Sequence, residues 1–171
     1  MARTEELEEV AHVLRSAYSE YLSRLPEERH QRYLDRTADV RGRLNDSELY
    51  VAERNGRVVG TITLFPNKAG ESVQGWPEGW TGVRVLGVLP EARGLGIGRA
   101  LVEHAIGRSR ELAAVAVGLH TTEMMEVARA LYERMGFVRV PEYDFSPSTM
   151  HVYAYRYDLA PFSQRVIKSE G

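Results

Sequence analysis

The chain has 171 residues, of which 43% are hydrophobic and 27% charged, and this composition suits one compact globular domain. Its formal net charge of −2 argues against nucleic acid or an anionic membrane as a partner. The absence of cysteine excludes disulfides, thiolate metal sites and a cysteine nucleophile, and no metal is expected. The acidic N-terminus and the lack of a long apolar run predict a cytoplasmic protein without signal peptide or transmembrane helix.

Two helices are predicted in the first quarter of the chain. Apolar residues recur at intervals of three and four from Leu7, which is typical of an amphipathic helix, and Thr4 is a suitable N-cap. Pro26 interrupts this pattern. A second, more polar helix is predicted from Glu27 to about Leu44.

The residue pattern then changes to one typical of strands. Leu49–Ala52 and Val58–Leu64 flank Asn55-Gly56, and Asn-Gly between two β-rich runs is a strong hairpin signal. Residues 66–81 are rich in glycine and proline and are predicted to form a loop. A strand is predicted next, at Val83–Val88.

Helices and strands alternate in the rest of the chain. Their predicted bounds are Ile97–Leu112 for a helix, Ala113–Leu119 for a buried strand, Thr122–Met135 for a helix, and Phe137–Val140 and Met150–Leu159 for two strands. Residues 160–171 are expected to be a tail. This order predicts a single α/β (α+β) domain over residues 1–171 with a mixed sheet.

The segment with the clearest chemistry is a glycine-rich turn between a predicted strand and a predicted helix. Gly94–Gly98 contains three glycines at alternate positions, and glycine permits positive φ and close approach of a ligand to the backbone. The free N–H groups and the dipole of a helix start favour an anion, and Arg93 and Arg99 add positive charge. The turn therefore indicates a phosphate or pyrophosphate site.

Two familiar phosphate-binding motifs do not fit this turn. A P-loop requires Gly-Lys-Ser/Thr, whereas Arg99-Ala100 follows Gly98. The dinucleotide-binding fingerprint requires a third glycine where this chain has Arg99 or Leu101, depending on the glycine chosen as the first. A tight structural turn that binds nothing is the remaining alternative at this stage.

Two motifs resemble those of the GNAT superfamily of N-acetyltransferases. Arg93–Gly98, with the sequence RGLGIG, fits the family's R/Q-x-x-G-x-G/A motif. Ala128–Phe137, with the sequence ARALYERMGF, is similar to its A-x-x-L-Y-x-x-x-G-F signature. The resemblance is strongest over residues 48–140. It implies the acyl-CoA N-acyltransferase fold, a mixed and mostly antiparallel sheet flanked by helices, in which the family's fourth and fifth strands splay apart.

The same resemblance implies acetyl-CoA as the co-substrate and a role for each matching residue. The amide of Val88 would polarise the acetyl carbonyl as an oxyanion donor, and Tyr132 would protonate the departing thiolate as a general acid. A core or rim aromatic is the alternative interpretation of Tyr132. The residues implied to bind the cofactor are Leu86, Gly87, Val88, Arg93, Gly94, Leu95, Gly96, Ile97, Gly98, Arg99, Met125 and Tyr132.

Two positions depart from the family pattern. Gly82 stands where the family often has a carboxylate that serves as the general base through water, so the base is open. Met125 replaces an asparagine found in many relatives and changes a polar contact with the cofactor into an apolar one. The candidate replacement bases are Glu71, Glu78, His120, Glu123, Asp144 and His151. His120 also fits the segment that caps the next helix, and no base is required if the amine arrives neutral.

The sequence thus predicts an N-acetyltransferase that moves the acetyl group directly to a primary amine of a small molecule or peptide. Direct transfer follows because no cysteine is present to carry the acetyl group. A non-catalytic CoA-binding regulatory or interaction module of the same fold is the main alternative. A third alternative is an enzyme of the same fold that uses a longer acyl-CoA or an alcohol acceptor.

Three further expectations concern the surroundings of this site. Trp76 and Trp80 are candidates for lining an acceptor pocket, for covering the sheet edge or for a dimer contact. The resemblance suggests a homodimer, with the tyrosine-rich strand Met150–Leu159 at its interface. The family's first strand usually precedes the first helix, and here it is expected to be absent, very short or lost.

Overall fold

The computed structural model of the chain describes residues 2–66, 75–147 and 150–159. Its helices are α1 (Leu7–Tyr18), α2 (His30–Ala38), α3 (Ile97–Glu111) and α4 (Glu126–Arg134). Its strands are β1 (Glu48–Arg54), β2 (Arg57–Phe65), β3 (Trp80–Val88), β4 (Ala116–Thr122), β5 (Val138–Arg139) and β6 (Val152–Asp158).

These strands form one sheet in the order β1-β2-β3-β4-β6-β5. β3 and β4 are parallel, and all other neighbours are antiparallel. The mixed, mostly antiparallel sheet predicted from the sequence is confirmed. None of the helices in the described ranges combines the length and the apolar character needed to span a bilayer.

The two faces of the sheet are covered by different helices. α1 packs one face with Val10, Val13 and Leu14, which are completely buried at helical spacing. Burial of each such side chain contributes about 1.5–3 kcal/mol. α3 packs the other face, with Val102 and Ala105 completely buried among side chains of β2, β3 and β4. The sheet is therefore held rigidly on both sides where it approaches the glycine turn.

β3 and β4 pair over only part of their length. Their parallel register ends at the pair Val83 and Leu119, whereas β3 continues to Val88 and β4 to Thr122. Each strand keeps its other neighbour, β2 or β6, beyond this point. The sheet therefore opens between its two central strands, as the family resemblance implied for the fourth and fifth strands. This opening is called the gap below.

A β-bulge lies in β3 beside the gap. Thr61 and Thr63 of β2 pair with Gly87 and Arg84, so one β2 residue lies opposite two residues of β3. One of the two is Val85, with φ of +55°, a conformation that a β-branched residue rarely adopts. Backbone strain of this kind persists only where surrounding structure imposes it, and it is common at functional sites.

α2 is shorter than the predicted helix Glu27–Leu44 and ends at Ala38. Asp39 leaves the helical region with ψ of 78°, and its carboxylate accepts a hydrogen bond from the N–H of Gly42 at 3.0 Å. Aspartate side chains compete with the helix in this way, which explains the early end.

β4 begins at Ala116, three residues later than predicted, because the preceding residues cap α3. The N–H of Ala113 donates to the carbonyl of Arg110, and the N–H of Ala114 to that of Ser109, both at 3.0 Å. Ala113 has φ of +56°. This is a Schellman arrangement with alanine where glycine is usual, so the sequence carried no signal for it.

β4 also ends later than predicted, which shortens α4. Thr121 and Thr122 pair with Tyr153 and Val152 of β6, so they extend the strand instead of starting the helix. α4 therefore begins at Glu126. β-branched threonines favour such an extended, half-buried position.

At the N-terminal end of the described residues, which begin at Ala2, no strand precedes α1. The N–H of Ala2 donates to the carbonyl of Leu49 at 2.8 Å, a single backbone bond to the edge of β1. Part of the predicted loop, residues 67–74, lies outside the described residues, as does the predicted tail at 160–171.

Candidate active site

The start of α3 presents a row of unused backbone donors. Among the described residues, the N–H groups from Gly94 to Arg99 donate no hydrogen bond, and the first helical bond runs from Ala100 to Gly96 at 3.0 Å. No side chain caps this end. Gly94 and Gly96 have φ of +76° and +78°, which turns their amides towards one side without a Cβ in the way. The arrangement suits an anion with several oxygens.

The two arginines at this turn are engaged elsewhere. The guanidinium of Arg93 pairs with Glu20 at 2.9 Å and donates to the carbonyl of Ala17 at 3.2 Å. Arg99 pairs with Glu103 at 2.8 Å on the exposed side of α3. Arg93 thus ties the turn to the end of α1. The anion-binding capacity of the turn comes mainly from its backbone.

The backbone of β3 offers an amide to the gap at Val88. The N–H of Leu89 donates to the carbonyl of Val59 in β2 at 2.9 Å. Successive N–H groups of a strand point to opposite edges, so the N–H of Val88 faces away from β2 and towards the gap. The carbonyl of Leu86, on the same edge, accepts a hydrogen bond from the hydroxyl of Tyr18 at 3.0 Å.

The gap joins the α3 turn through a largely apolar wall. A Cβ built on Gly98 would lie 3.6 Å from Leu131, 3.8 Å from Val88 and 4.0 Å from Leu86, so these side chains surround the first turn of α3. Met125, at the N-cap of α4, is half-buried. Leu95 is 54% exposed at the tip of the turn. An elongated ligand with an apolar arm and an anionic end fits this sequence of surfaces.

Two hydroxyl groups at the far end of β4 have no partner in the described residues. The Oγ1 atoms of Thr121 and Thr122 are buried and make no hydrogen bond there. Buried hydroxyl groups are nearly always satisfied, so this pair is suited to the polar atoms of a bound molecule. The free amides, the open gap and these hydroxyls together fit the pantetheine and pyrophosphate of a CoA thioester.

Tyr132 is only 6% exposed, and its ring lies 5.7 Å from that of Phe137 between centroids. Its hydroxyl makes no hydrogen bond within the described residues. Burial raises the pKa of Tyr132 well above its usual value, and the neighbouring Tyr21 adds to this effect. The phenol therefore stays protonated at neutral pH and remains a potential donor.

Tyrosines from α1, α2 and the segment between them gather near Tyr132. The ring of Tyr18 lies 5.9 Å from that of Tyr21 and 6.3 Å from that of Tyr33. Burial raises the pKa of Tyr18 well above its usual value, and Tyr132 adds to this effect. No sequence motif indicates this cluster, although Tyr18 and Tyr21 have helical spacing.

His120 lies in β4 directly after the last pair with β3. The indole of Trp76 stacks on its ring at 4.3 Å between centroids and 18° between planes. Its Nε2 lies 3.1 Å from the carbonyl of Tyr143, which can only accept, so Nε2 carries the proton. Burial lowers the pKa of His120. The ring is thus held neutral with its Nδ1 lone pair available.

The other candidate bases are less suited to take a proton. The carboxylate of Asp144 accepts hydrogen bonds from Nη1 and Nη2 of Arg139, at 2.9 and 2.7 Å. It also accepts one from the backbone N–H of Ala154 at 2.7 Å. The Nε2 atom of His151 lies 3.0 Å from the same carboxylate. The backbone N–H of His151 donates to a carboxylate oxygen of Glu123 at 3.4 Å. These groups fasten β6 to the loop before it.

Two carboxylates complete the set of candidate bases. Glu78 is exposed and forms no hydrogen bond or ion pair within the described part of the chain. Glu71 lies outside the described residues.

Two side chains that the sequence did not single out lie at the same place. Arg84 follows Val83 at the point where the gap opens, and Tyr18 reaches β3 from the end of α1. An arginine in a central strand was a usable signal, because charged residues are rare there unless they are paired or functional. Within the described residues, no three His, Asp or Glu side chains converge as metal ligands.

Comparisons with known proteins identify this arrangement. The profile of the acetyltransferase (GNAT) family matches residues 7–137. A mycothiol acetyltransferase of Cellulomonas flavigena is 33% identical over 109 residues, which cover 60% of this chain and 31% of that protein. A 5-NmdU N-acetyltransferase of Pseudomonas phage PaMx11 is 34% identical over 93 residues, covering 54% of this chain and 59% of that protein.

The fold matches solved structures over nearly its whole length. The PaiA N-acetyltransferase of Thermoplasma acidophilum, solved in complex with coenzyme A, superposes with a TM-score of 0.69 at 18% identity, covering 90% of this chain and 94% of that one. The chain belongs to the acetyltransferase (GNAT) family. It spans about a third of the length of the curated mycothiol acetyltransferase that it matches.

Proposed function

We propose that the protein is an N-acetyltransferase that moves the acetyl group of acetyl-CoA directly to a primary amine. One observation carries the proposal: the N–H of Val88 faces a gap that leads to the unused amides at the start of α3. Family membership and the N-acetyltransferase named among the relatives support it. The chain has no cysteine that could carry the acetyl group, which excludes a cysteine-linked acyl-enzyme.

The chain's residues divide the binding of acetyl-CoA between two regions. The amides from Gly94 to Arg99 would bind the pyrophosphate, with the helix dipole adding to the attraction. The side chains of Leu86, Val88 and Met125 would line the pantetheine arm. The thioester carbonyl would then lie at the N–H of Val88, where a fixed donor stabilises negative charge on oxygen.

Two proton transfers accompany the movement of the acetyl group. The amine nitrogen attacks the thioester carbonyl carbon, a C–N bond forms, and the C–S bond breaks. The proton lost by the amine passes to Nδ1 of His120, and the departing thiolate takes a proton from the hydroxyl of Tyr132. The products are the N-acetylated amine and the CoA thiol.

Tyr132 suits the acid role because its hydroxyl is protonated and uncommitted. Its raised pKa keeps the proton in place at neutral pH, and the buried ring fixes its position. As the C–S bond breaks, negative charge develops on sulfur, and this hydroxyl is placed to donate a hydrogen bond and then its proton to it. The alternative role, of a core aromatic only, leaves the uncommitted hydroxyl unexplained.

His120 suits the base role that the absence of a carboxylate at Gly82 leaves open. Its Nε2 proton is held by the carbonyl of Tyr143, and burial keeps the ring neutral. It lies at the narrow end of the gap, one residue past the last β3–β4 pair. An amine entering from the side of Trp76 would meet Nδ1 there.

Turnover tests the proposal directly. Purified protein is mixed with acetyl-CoA and a panel of primary amines, and free CoA thiol is measured together with the acetylated product. CoA release that depends on amine supports the proposal. Tight binding of acetyl-CoA with no release for any amine would overturn it in favour of a non-catalytic CoA-binding module. Propionyl- and succinyl-CoA, and alcohols, run alongside to test the acyl and acceptor preference.

A further inference from the structure

Arg84 is an unpaired charge in the middle of the sheet. It belongs to β3, the third of six strands in spatial order, yet its side chain is exposed. Within the described residues it forms neither an ion pair nor a hydrogen bond. Arginine is one of the residues least often placed in a central strand, and this one stabilises nothing there.

Arg84 and His120 point to the same side of the sheet. Val83 and Leu119 form the last β3–β4 pair and belong to the core beneath α3. Side chains alternate between faces along a strand, so the next residues, Arg84 and His120, face the opposite side, where α1 packs. Their electrostatic interaction contributes, after burial, to the lowered pKa of His120, in agreement with this placement.

Two further arginines, Arg36 in α2 and Arg43 after it, are linked electrostatically to Arg84. Arg43 is fixed by its hydrogen bonds to the carbonyls of Arg36 and Thr37, at 3.2 and 2.9 Å, at the end of α2. Partial burial lowers the pKa of Arg84, and the charge of Arg36 lowers it further. Burial likewise lowers the pKa of Arg43. The charge of Asp39 raises this pKa, and the charge of Arg84 lowers it further.

This group of arginines has little compensation from the protein. Among the described residues, none of the three forms an ion pair with a carboxylate. The charge of Asp39 raises the pKa of Arg43 but does not outweigh burial. Like charges held close together without counter-ions destabilise the folded state unless an anion neutralises them.

The arginines are also close to the proposed chemistry. After burial, Tyr132 raises the pKa of Tyr18 and Arg43 lowers it, and Tyr18 raises the pKa of Arg84, in agreement with a position of Tyr18 between the arginines and the proposed general acid. The hydroxyl of Tyr33, whose ring neighbours that of Tyr18, is buried without a partner in the described residues. It is a further donor for an oxygen-rich group.

We propose that Arg84, with Arg36 and Arg43, binds an anionic group of the acceptor, so the acceptor is a primary amine that also carries a carboxylate or a phosphate. This inference rests on the proposed function, because it assigns the acceptor side of that site. The amine would reach His120 while the anion meets the guanidinium of Arg84, and both residues directly follow the last β3–β4 pair.

Turnover of a matched amine set tests the inference. The set is β-alaninamide, which has no anion, β-alanine, which has a carboxylate, and phosphoethanolamine, which has a phosphate. We expect kcat/KM for at least one anionic amine to exceed that for β-alaninamide by about tenfold or more. Which of the two is preferred distinguishes carboxylate from phosphate. Equal or better use of β-alaninamide overturns the inference while leaving the proposed function intact.

Variants identify the residue responsible. Arg84→Gln should reduce kcat/KM for the preferred anionic amine about tenfold or more and affect that for β-alaninamide much less, whereas Arg84→Lys should recover part of the loss. Arg57→Gln, an exposed arginine at the start of β2, is the control and should change neither. An equal loss for all three amines in Arg84→Gln would show a structural role and overturn the assignment.

Binding separates this inference from the proposed function. Phosphoethanolamine and β-alanine are titrated into protein saturated with CoA, where no acetyl transfer can occur, and the affinity of Arg84→Gln is compared with that of the unsubstituted protein. Weaker binding to the variant supports the anion subsite even in the absence of turnover. Unchanged affinity for both anionic amines overturns it.

Discussion

The indole of Trp76 lies so close to Gly118 that a Cβ on that glycine would be 2.6 Å from two atoms of the ring. Trp76 is 1% exposed, and it reaches β4 only because Gly118 has no side chain. From this position the indole stacks on His120 and also on Trp80, at 5.5 Å between centroids. A glycine in β4 therefore sets the orientation of the histidine two residues later.

Replacement of this glycine should disturb both stability and the histidine. Gly118→Ala forces the indole away from β4, and overpacking of this kind costs about 1–3 kcal/mol. We expect a lower free energy of unfolding in urea and an altered near-ultraviolet circular dichroism of the tryptophans. Gly107→Ala is the control, because a Cβ at this helical position meets nothing within 4 Å. It should stabilise α3 by about 0.5–1 kcal/mol.

Two substitutions in the glycine turn, at Gly96 and Gly98, test the role of its backbone amides. Gly96→Ala places a Cβ on a residue with φ of +78° and should cost about 1–2 kcal/mol. It should also weaken acetyl-CoA binding, because relief of the strain would turn the amides of the turn away. Gly98→Ala, where the new Cβ would make only ordinary contacts of 3.6 Å or more, should bind acetyl-CoA normally. Equal affinities in calorimetric titrations of the two variants would contradict the role given to these amides.

Tyr132→Phe should lower kcat by about tenfold to a hundredfold without weakening acetyl-CoA binding. The ring and its packing against Phe137 are retained, so only the proton for the leaving thiolate is lost. Steady-state rates and equilibrium binding are measured on the same preparation. Tyr155→Phe, which removes a hydroxyl bonded to Glu133 at 2.7 Å, is the matched control and should leave kcat unchanged. An unchanged kcat in Tyr132→Phe would remove this residue from the mechanism.

His120→Gln should lower kcat by about a hundredfold or more and change its pH dependence. Burial disfavours the charged ring, so His120 takes up a proton only below its usual pKa, and kcat should fall as the pH drops through that lowered value. The variant should lack this acidic limb. His12→Gln, at an exposed position on α1, should keep it. A profile shared by His120→Gln and the unsubstituted protein would argue that the amine arrives neutral and needs no base.

Local signals in the sequence were sufficient for the fold class and for the position of the glycine turn. Gly94–Gly98 follows a strand and opens a helix, and both features depend on neighbours along the chain. The bulge at Val85 is different, because valine disfavours a positive φ and only packing from both sheet faces imposes it. The cap at Ala113 is likewise unmarked, because alanine replaces the expected glycine.

Contacts between distant segments limited the prediction of the site. In the sequence, His120 was compatible with both a strand end and a helix cap. Its pairing with Ala154 of β6 shows that it belongs to the strand. Arg84 could be singled out as an arginine in a predicted strand, but the sequence did not indicate what it binds. Its meaning depends on Arg43 and Arg36 being brought alongside by the end of α2, which no local pattern indicates.

The bulge in β3 also decides which edge of the strand faces the gap. Val83 and Leu86 both pack towards α3 although they are three residues apart, because the extra residue between them reverses the alternation of the strand. A strand of the same length that paired regularly with β2 would send Leu86 to the α1 face and turn the amide of Val88 back towards β2. Such a protein would keep its composition and most of its core, yet it would present the wrong edge of β3 to the thioester.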